Sequence, residues 1–379
     1  MSRFRLLVLV MLVGAMALGG CDAAQQRGGS PGAWNQGTPD DAVVAQAVQD
    51  LLKQDLTADN AVRVALLCNP SLQAVYENFG ISQTDLVQAG LLKNLGIGAA
   101  PGAQAEPATA FIETALAPLR KRVPPAEFEQ VRGRLTGVVL DAAVDVRRAC
   151  YTLKGAEQAV AVWRQAAEGA DRAANEAKRR LDVGKADGTG LALAQGAAQR
   201  VQMDVAASEA DGADARIVLG RLLGQTGPAG WKVAAGFPEL PANDPPFERL
   251  LAMAVSQRPD LAAATQETMP RMAWLEARMA DVRTAVQLAY NHMTAARRAA
   301  VYVKTAVLPL CDQIGKIDAA RRETGQGQVD MPGCEEVRRH PANARLAYVE
   351  AMRDYWIARS QLEHAVGGRL DVPPPAGMP

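Results

Sequence analysis

Apolar residues along the middle of the chain recur at alternating spacings of three and four. Val139, Ala142, Val146, Ala149, Leu153, Ala156, Val160, Trp163, Ala167, Ala170, Ala174, Ala177 and Leu181 follow one another without a polar exception. Two apolar residues in every seven, sustained for six heptads, are the seam of a coiled coil. The seam predicts one helix over residues 124–182, about 59 residues and ~90 Å long at ~1.5 Å per residue. Pro124-Pro125 suits the first turn, where a missing N–H costs nothing. Residues 184–190 are Gly-rich and break the helix. A return helix then carries Leu191, Ala194, Ala198, Val201, Val205, Ser208, Gly212, Ala215, Leu219 and Leu222 on one stripe. Together they predict a long antiparallel hairpin.

The pattern returns. Ala65, Pro70, Leu72 and Ala74 recur as Ala254, Pro259, Leu261 and Ala263, an offset of 259 − 70 = 189. Val146, Ala149 and Ala156 recur as Val286, Ala289 and Ala296, an offset of 286 − 146 = 140. Val286, Ala289, Met293, Ala296, Ala300, Val303, Val307 and Leu310 therefore predict a second long helix. Ala344, Tyr348, Ala351, Tyr355, Ala358, Leu362 and Ala365 predict its return partner, offset 358 − 215 = 143 from the first. The fold class is mainly α: two long antiparallel coiled-coil helical hairpins in tandem repeat. The offsets 189 and 140 differ by 49 residues, so a segment between the matched landmarks of the first half has no counterpart in the second. One continuous helix is expected from Met272 to Leu308. Pro309 should kink the second helix or divide it. The stretch 325–341 stands where a turn and the start of the return helix belong, and Pro270 falls inside another helical segment.

Between the hairpins the signals are weaker. Asn69-Pro70-Ser71 reads as the turn between two short helices. Residues 94–118, Gly- and Ala-rich, read as two stunted strands around a loop, at most a β-hairpin. The resulting organisation is 1–20 a signal peptide, 21–50 a flexible tether, 51–240 the first repeat with its strand segment at 94–118, 241–370 the second repeat with that segment missing, and 371–379 a Pro-rich tail.

Composition agrees with close-packed helices rather than one large core: 49% of residues are hydrophobic but only 4% aromatic. Formal charge is zero and pI about 6.9, so no electrostatic footprint for nucleic acid exists. Arg3 and Arg5 precede the apolar run Leu6–Leu18, and Leu18-Gly19-Gly20-Cys21 closes it. The run is short of the ~20 residues that a spanning helix needs. It reads as a secretory signal cut before Cys21, with Cys21 acylated and the mature chain held to a membrane by its lipid. Cys68, Cys150 and Cys311 sit in helical segments without metal-site or CxxC spacing, and buried thiols are expected; Cys334 is the fourth.

Several stretches in this order resemble the TolC-like outer-membrane efflux family, in particular its lipidated branch associated with heavy-metal and drug efflux. They are Asn69-Pro70-Ser71-Leu72-Gln73-Ala74, Asp85 to Leu92, Pro118-Leu119-Arg120-Lys121-Arg122, Leu222-Leu223-Gly224, Arg258-Pro259-Asp260-Leu261 and Asp354-Tyr355-Trp356-Ile357-Ala358-Arg359. The resemblance covers residues 55 to 368. It implies a trimer whose protomers give two helical hairpins to a periplasmic α-barrel and four strands to a shared outer-membrane β-barrel. It also implies a periplasmic adaptor protein and an inner-membrane pump as partners. Here the second half runs from Met272 into Val286 with no strand segment, so the chain resembles a divergent member lacking the second strand pair. The expected place is the outer membrane. Asp22 after the lipidated Cys resembles an inner-membrane retention signal and leaves that membrane open.

Candidate chemistry is sparse. His292, His340 and His364 share no helical spacing with a Cys, Asp and Glu set, and read as surface or seam-edge residues. Met269, Met272 and Met279 are spaced for a soft metal, but core or seam packing fits them better. Tyr355-Trp356 reads as seam filling or a partner contact. Asp141, Asp145 and Arg148 read as duct-lining or as an ordinary solvated face. No nucleophile–base set, phosphate loop or paired carboxylates occur, so neither an enzyme nor a cofactor is expected. Two functions remain: the exit duct of a tripartite efflux system, with a degenerate barrel, or a lipid-anchored periplasmic coiled-coil protein without channel activity.

Overall fold

In the computed structural model the described residues are 37–97, 106–225, 230–258, 272–323 and 334–370. They form helices α1 (Pro39–Lys53), α2 (Ala58–Cys68), α3 (Pro70–Asn78), α4 (Gln83–Gln88), α5 (Leu91–Asn94), α6 (Pro107–Arg122), α7 (Pro125–Asp182), α8 (Gly188–Leu222), α9 (Phe247–Gln257), α10 (Met272–Tyr302), α11 (Leu308–Glu323) and α12 (Cys334–Val366). A π-turn over Val303–Val307 joins α10 to α11. The β-structure among the described residues is one parallel bridge, Leu56 to Val233.

The first hairpin is α7 against α8. Helix α7 starts on Pro125 and runs 58 residues without a break. Every seam position from Val139 to Leu181 is buried or half-buried, and so is every stripe residue of α8. Asp187 caps α8 by accepting from the Gly190 N–H at 3.1 Å. The second hairpin packs α10 and α11 against α12, and α12 also lies along α7. Val286, Ala289, Met293 and Ala300 are buried against Leu362, Ala358, Tyr355 and Ala351, an antiparallel order. Around the first half of α7, helices α1 to α6 fold into a cap. Its core joins Tyr76, Phe111, Leu66 and Leu116 to Leu135, Val146 and Leu153.

Three expectations about local structure are corrected. Within residues 94–118, read as two stunted strands around a loop, Asn94 ends α5 and 107–118 are the first three turns of α6. Glu106 caps α6 through the Thr109 N–H at 2.6 Å, Pro107 starts it, and Phe111, Ala115 and Leu119 place a buried face at helical spacing. Residues 98–105 lie outside the described set. The tether assigned to 21–50 is helical from Pro39: Thr38 and Asp41 form a reciprocal capping box, and Val44, Val48 and Leu51 enter the core. Leu310, expected in the second seam, is 56% exposed, while Cys311 is buried.

The π-turn explains that last shift. Pro309 has no N–H to give Thr305, and its ring would strike the Thr305 carbonyl in an unbroken α-helix. A π-turn inserts one extra residue per turn and relieves both. The seam therefore steps from Val307 to Cys311, and Leu310 turns outward. The expected interruption at Pro309 is real, but the chain continues as helix from Met272 through Glu323. The expected helix over 272–308 is thus present. Helix α12 begins at Cys334 and carries Pro341 within it, so part of the 325–341 stretch is helix. Pro270 lies outside the described residues.

The repeat is visible in element bounds and in contacts. Helices α2 and α9 both have 11 residues, and their last residues are separated by 257 − 68 = 189. After α2, the Asn69 side-chain amide donates to the Leu222 carbonyl at 2.9 Å. After α9, the matching Arg258 donates to the Ala365 carbonyl at 3.2 Å. Leu222 and Ala365 are matched at offset 143, and so are the glycines that follow, Gly224 and Gly367, with φ of 68° and 81°. A Cβ on Gly224 would collide with the Cys68 carbonyl, and one on Gly367 would stand 3.1 Å from Arg258 Cγ. Each return helix thus closes on the end of its own short helix through a left-handed glycine.

Candidate functional site

Three arginines and three carboxylates meet where α2, α6 and α7 of the first repeat face the end of α12. Arg147, on the flank of the seam beside Val146, points inward and is 6% exposed. Its guanidinium donates to Glu106 Oε1 at 2.6 Å and Asp59 Oδ1 at 3.2 Å. Asp59 also accepts from Arg369, just beyond α12. Glu363 of α12 sits 3.6 Å from Arg359. Behind Asp59, Arg63 donates to the Leu95 carbonyl at 2.7 Å and to Asn60 Oδ1 at 2.6 Å.

Burial is the largest single influence on Asp59 and Glu106 and would raise both. The charge of Arg147, together with Arg369 at Asp59 and with the Thr109 hydrogen bonds at Glu106, outweighs it, and both carboxyls are held below their ordinary values. Burial wins at Glu363, which is raised despite Arg147, Arg359 and Arg369 nearby. Burial also disfavours the Arg147 cation, yet Glu106 and Asp59 more than compensate and its pKa is raised. Such a cluster fixes how the elements meet more than it adds net stability; removing one member strands the others.

Aromatic contacts close the same joint. Tyr151 of α7 stacks against Phe237 of the connector at 6.4 Å and against Trp356 of α12 at 5.9 Å. The Trp356 Nε1–H donates to the Pro238 carbonyl at 3.2 Å, and Tyr355, fully buried, donates from its hydroxyl to Asp244 at 2.8 Å. Tyr355-Trp356 therefore ties α12 to the connector and to the first repeat.

The other singled-out residues are scattered. His292 is exposed on α10, while His364 Nε2 lies 2.9 Å from Asp141 Oδ1, bridging α12 and α7. His340 and Met272 lie on helices, but their side chains, and Cys334's, are outside the described set. Cys21 and Met269 are outside it altogether. Met279 is 42% exposed and not a packing residue as expected. Asp145 and Arg148 are exposed on α7. Cys150 is buried and its thiol pushed up to about 12; Cys68, expected buried, is half-buried and pushed up to about 11, in both cases by burial. Among the described residues no group of His, Cys, Asp and Glu is arranged to hold a metal ion. No described helix is long and apolar enough to cross a membrane.

Both hairpins expose apolar stripes. On the second, Leu288, Tyr302, Leu310 and Ile317 are each more than half exposed. Their spacings of 14, 8 and 7 are heptads with one added residue, and the π-turn supplies it. On the first, Met203 and Ile217, two heptads apart on α8, are about 70% exposed, and Leu193 60%. Exposed large apolar side chains repeated along one line of a helix are the kind of surface that a neighbouring helix can cover.

No protein-family model matches the chain, and no curated protein sequence does. Solved structures do match. A membrane protein from Pseudomonas aeruginosa aligns at a TM-score of 0.56 and 15% identity, covering 85% of this chain and 93% of its own. The outer membrane protein VceC from Vibrio cholerae aligns at 0.54 and 13%, covering 90% and 100%. The outer membrane channel CmeC from Campylobacter jejuni aligns at 0.53 and 11%, covering 83% and 86%. At these identities the likeness is one of fold: the chain has the tandem helical-hairpin architecture of outer-membrane channel proteins.

Proposed function

We propose that the chain is the exit-duct component of an outer-membrane efflux system, working as a trimer beside a periplasmic adaptor and an inner-membrane pump. The carrying observation is the pair of long hairpins held side by side by the joint, the fold of outer-membrane channels. The exposed stripes on α8 and on α10–α11 support assembly through copies of this chain. The acylated Cys21 anchors the chain in the outer membrane, with the helical body in the periplasm.

A second reading has its own support. Residues 272–302 are helical where the resemblance calls for a strand pair. Membrane barrels start at eight strands, and open strand edges are not tolerated in hydrocarbon. On this reading the barrel is degenerate and the chain is a lipid-anchored coiled-coil protein that retains only assembly contacts. One preparation separates the two. We expect the detergent-extracted protein to be a trimer with little conductance of its own in a planar bilayer. Leu310→Asp together with Tyr302→Asp should yield monomers with an unchanged helical melt. A wild-type monomer would remove the duct; large, stable single-channel currents would remove the degenerate barrel. Mass spectrometry of the mature N-terminus tests Cys21, and a Cys21→Ser protein that still fractionates with membranes would exclude the lipid anchor.

A further inference from the structure

A cavity of about 400 Å3 opens at the joint, between the start of α2, the middle of α7, the connector at 234–238 and the end of α12. Its wall is unusual in charge. Arg147, Arg359, Arg369 and Lys154 line it, against Asp59 and Glu363, with Glu106 behind Arg147. Each carboxylate already has an arginine: Asp59 has Arg147 and Arg369, Glu106 has Arg147, and Glu363 has Arg359. Arg63 behind them adds a further positive charge.

Lys154 is the remainder. It is 5% exposed, one turn along α7 from Cys150 and beside Tyr151. Its ammonium has three protons to give, and the hydrogen bond it makes is a long one of 3.3 Å to the Gly236 carbonyl. No described carboxylate lies within ion-pair distance of it. The carboxylate charge it does feel is that of Glu157, one turn on, which is already paired with Arg216. A buried ammonium compensated only in this way is costly, by several kcal/mol for an isolated ion. Burial accordingly draws its pKa below the ordinary lysine value. The cavity is also lined by aromatic residues: Phe237, Tyr151 and Trp356 stand in one stacked series, with Arg359 over the Trp356 ring at 5.7 Å.

We propose that this cavity binds a small aromatic carboxylate, its charge met by Lys154 and its ring laid against Tyr151 and Trp356. The volume exceeds what a bare inorganic anion fills, and the aromatic wall offers the remainder an apolar surface. The site draws on neither hairpin seam and does not depend on the duct reading, since it lies within one protomer.

Calorimetric titration of the full, detergent-extracted chain tests it with three probes: benzoate, its neutral counterpart benzamide, and inorganic phosphate. Benzoate should bind saturably, and benzamide and phosphate each at least about tenfold more weakly. Lys154→Met should lose at least about tenfold in benzoate affinity, and Lys154→Arg should retain it. Absence of saturable benzoate binding overturns the proposal, as does benzamide or phosphate binding equally well. Equal benzoate binding by Lys154→Met overturns it too. If Lys154→Met fails to fold, the benzoate and benzamide pair on the wild-type chain still decides.

Discussion

The two hairpins solve one packing problem with different sequences. The first is a single helix of 58 residues returning through a short turn, every seam position covered. The second carries Pro309, a π-turn and a seam that steps sideways by one residue. Yet the contacts that close the two repeats coincide: Asn69 to Leu222 in one, Arg258 to Ala365 in the other, each beside a left-handed glycine. The seam tolerates an inserted residue because side chains on a long helix can re-register one turn later. The closure tolerates little, because two backbones approach one another and only the absence of a Cβ permits it. Constraint in this fold is concentrated where the short helices meet the long ones, not along the seams.

The sharpest way to break the comparison is Arg147→Ala. It leaves Asp59 and Glu106 buried with one partner fewer, which costs about 3–5 kcal/mol. Its counterpart at offset 140 is Gln287, whose amide reaches only the exposed Asn291 at 2.9 Å. Gln287→Ala should stay within about 0.5 kcal/mol. Denaturant melts of the two variants check this; equal losses would mean that the joint is no more constrained than the outer face. The same network sets an acid limit. Asp59 and Glu106 are held below their ordinary values of 3.8 and 4.5. The unfolded chain then takes up those protons first, so their stabilisation is present above pH 4.5 and is lost as pH falls through and below it. Glu363, raised by burial, acts in the opposite direction, its cost relieved in acid. Arg147→Ala should flatten the acid loss, as pH-dependent melts would show.

Next in size are the closing glycines. Alanine in the left-handed region costs roughly 1–2 kcal/mol. At Gly224 the new Cβ also meets the Cys68 backbone carbonyl, which cannot swing away. Overpacking of that kind adds roughly 1–3 kcal/mol, so Gly224→Ala should cost about 3 kcal/mol in all. At Gly367 the nearest atom is Arg258 Cγ, in a flexible side chain. Gly367→Ala should therefore lose no more than about 2 kcal/mol. The reverse order in thermal unfolding would mean that the second closure is the tighter one.

The contrast between seam and joint also decides what could be read before the structure. Hydrophobic spacing is local, so Val139 to Leu181 disclosed both the helix and its buried face, and the two offsets disclosed the second copy. Pro309 announced an interruption but not its repair, and the one-residue slip that exposes Leu310 depends on the turn chosen. Residues 107–118 misled because Ala and Thr, half of the stretch, weigh little on either side. The deciding signals were Glu106 as a cap and Phe111, Ala115 and Leu119 at helical spacing. The joint was not legible at all. Asp59, Glu106, Arg147 and Arg369 are brought together only by the fold, and on a helix flank Arg147 and Lys154 look like any solvated basic residue. A polar residue adjoining a seam position, as Arg147 adjoins Val146, is the faint signal that was there.

The smallest expected effect is at the more exposed of the two charged ties across the first hairpin, the other being Arg216 of α8 with Glu157 of α7. Arg164 of α7 donates to Glu209 of α8 at 2.6 and 3.1 Å. At the matched positions the second hairpin has Lys304, exposed, and Met352, buried at 4%. If ion pairs held the helices together, this difference would make the first hairpin the more robust. Both partners are about half exposed or more, at 64% and 46%. A pair in water gains little Coulomb energy, orders two long side chains, and is screened by salt. Arg164→Ala should therefore cost less than about 1 kcal/mol, and less still in ~1 M salt, where the Debye length is ~3 Å. A loss of several kcal/mol that persists at high salt would overturn the assignment of hairpin stability to the seam. It would make the missing tie at Lys304 and Met352 the true weakness of the second repeat.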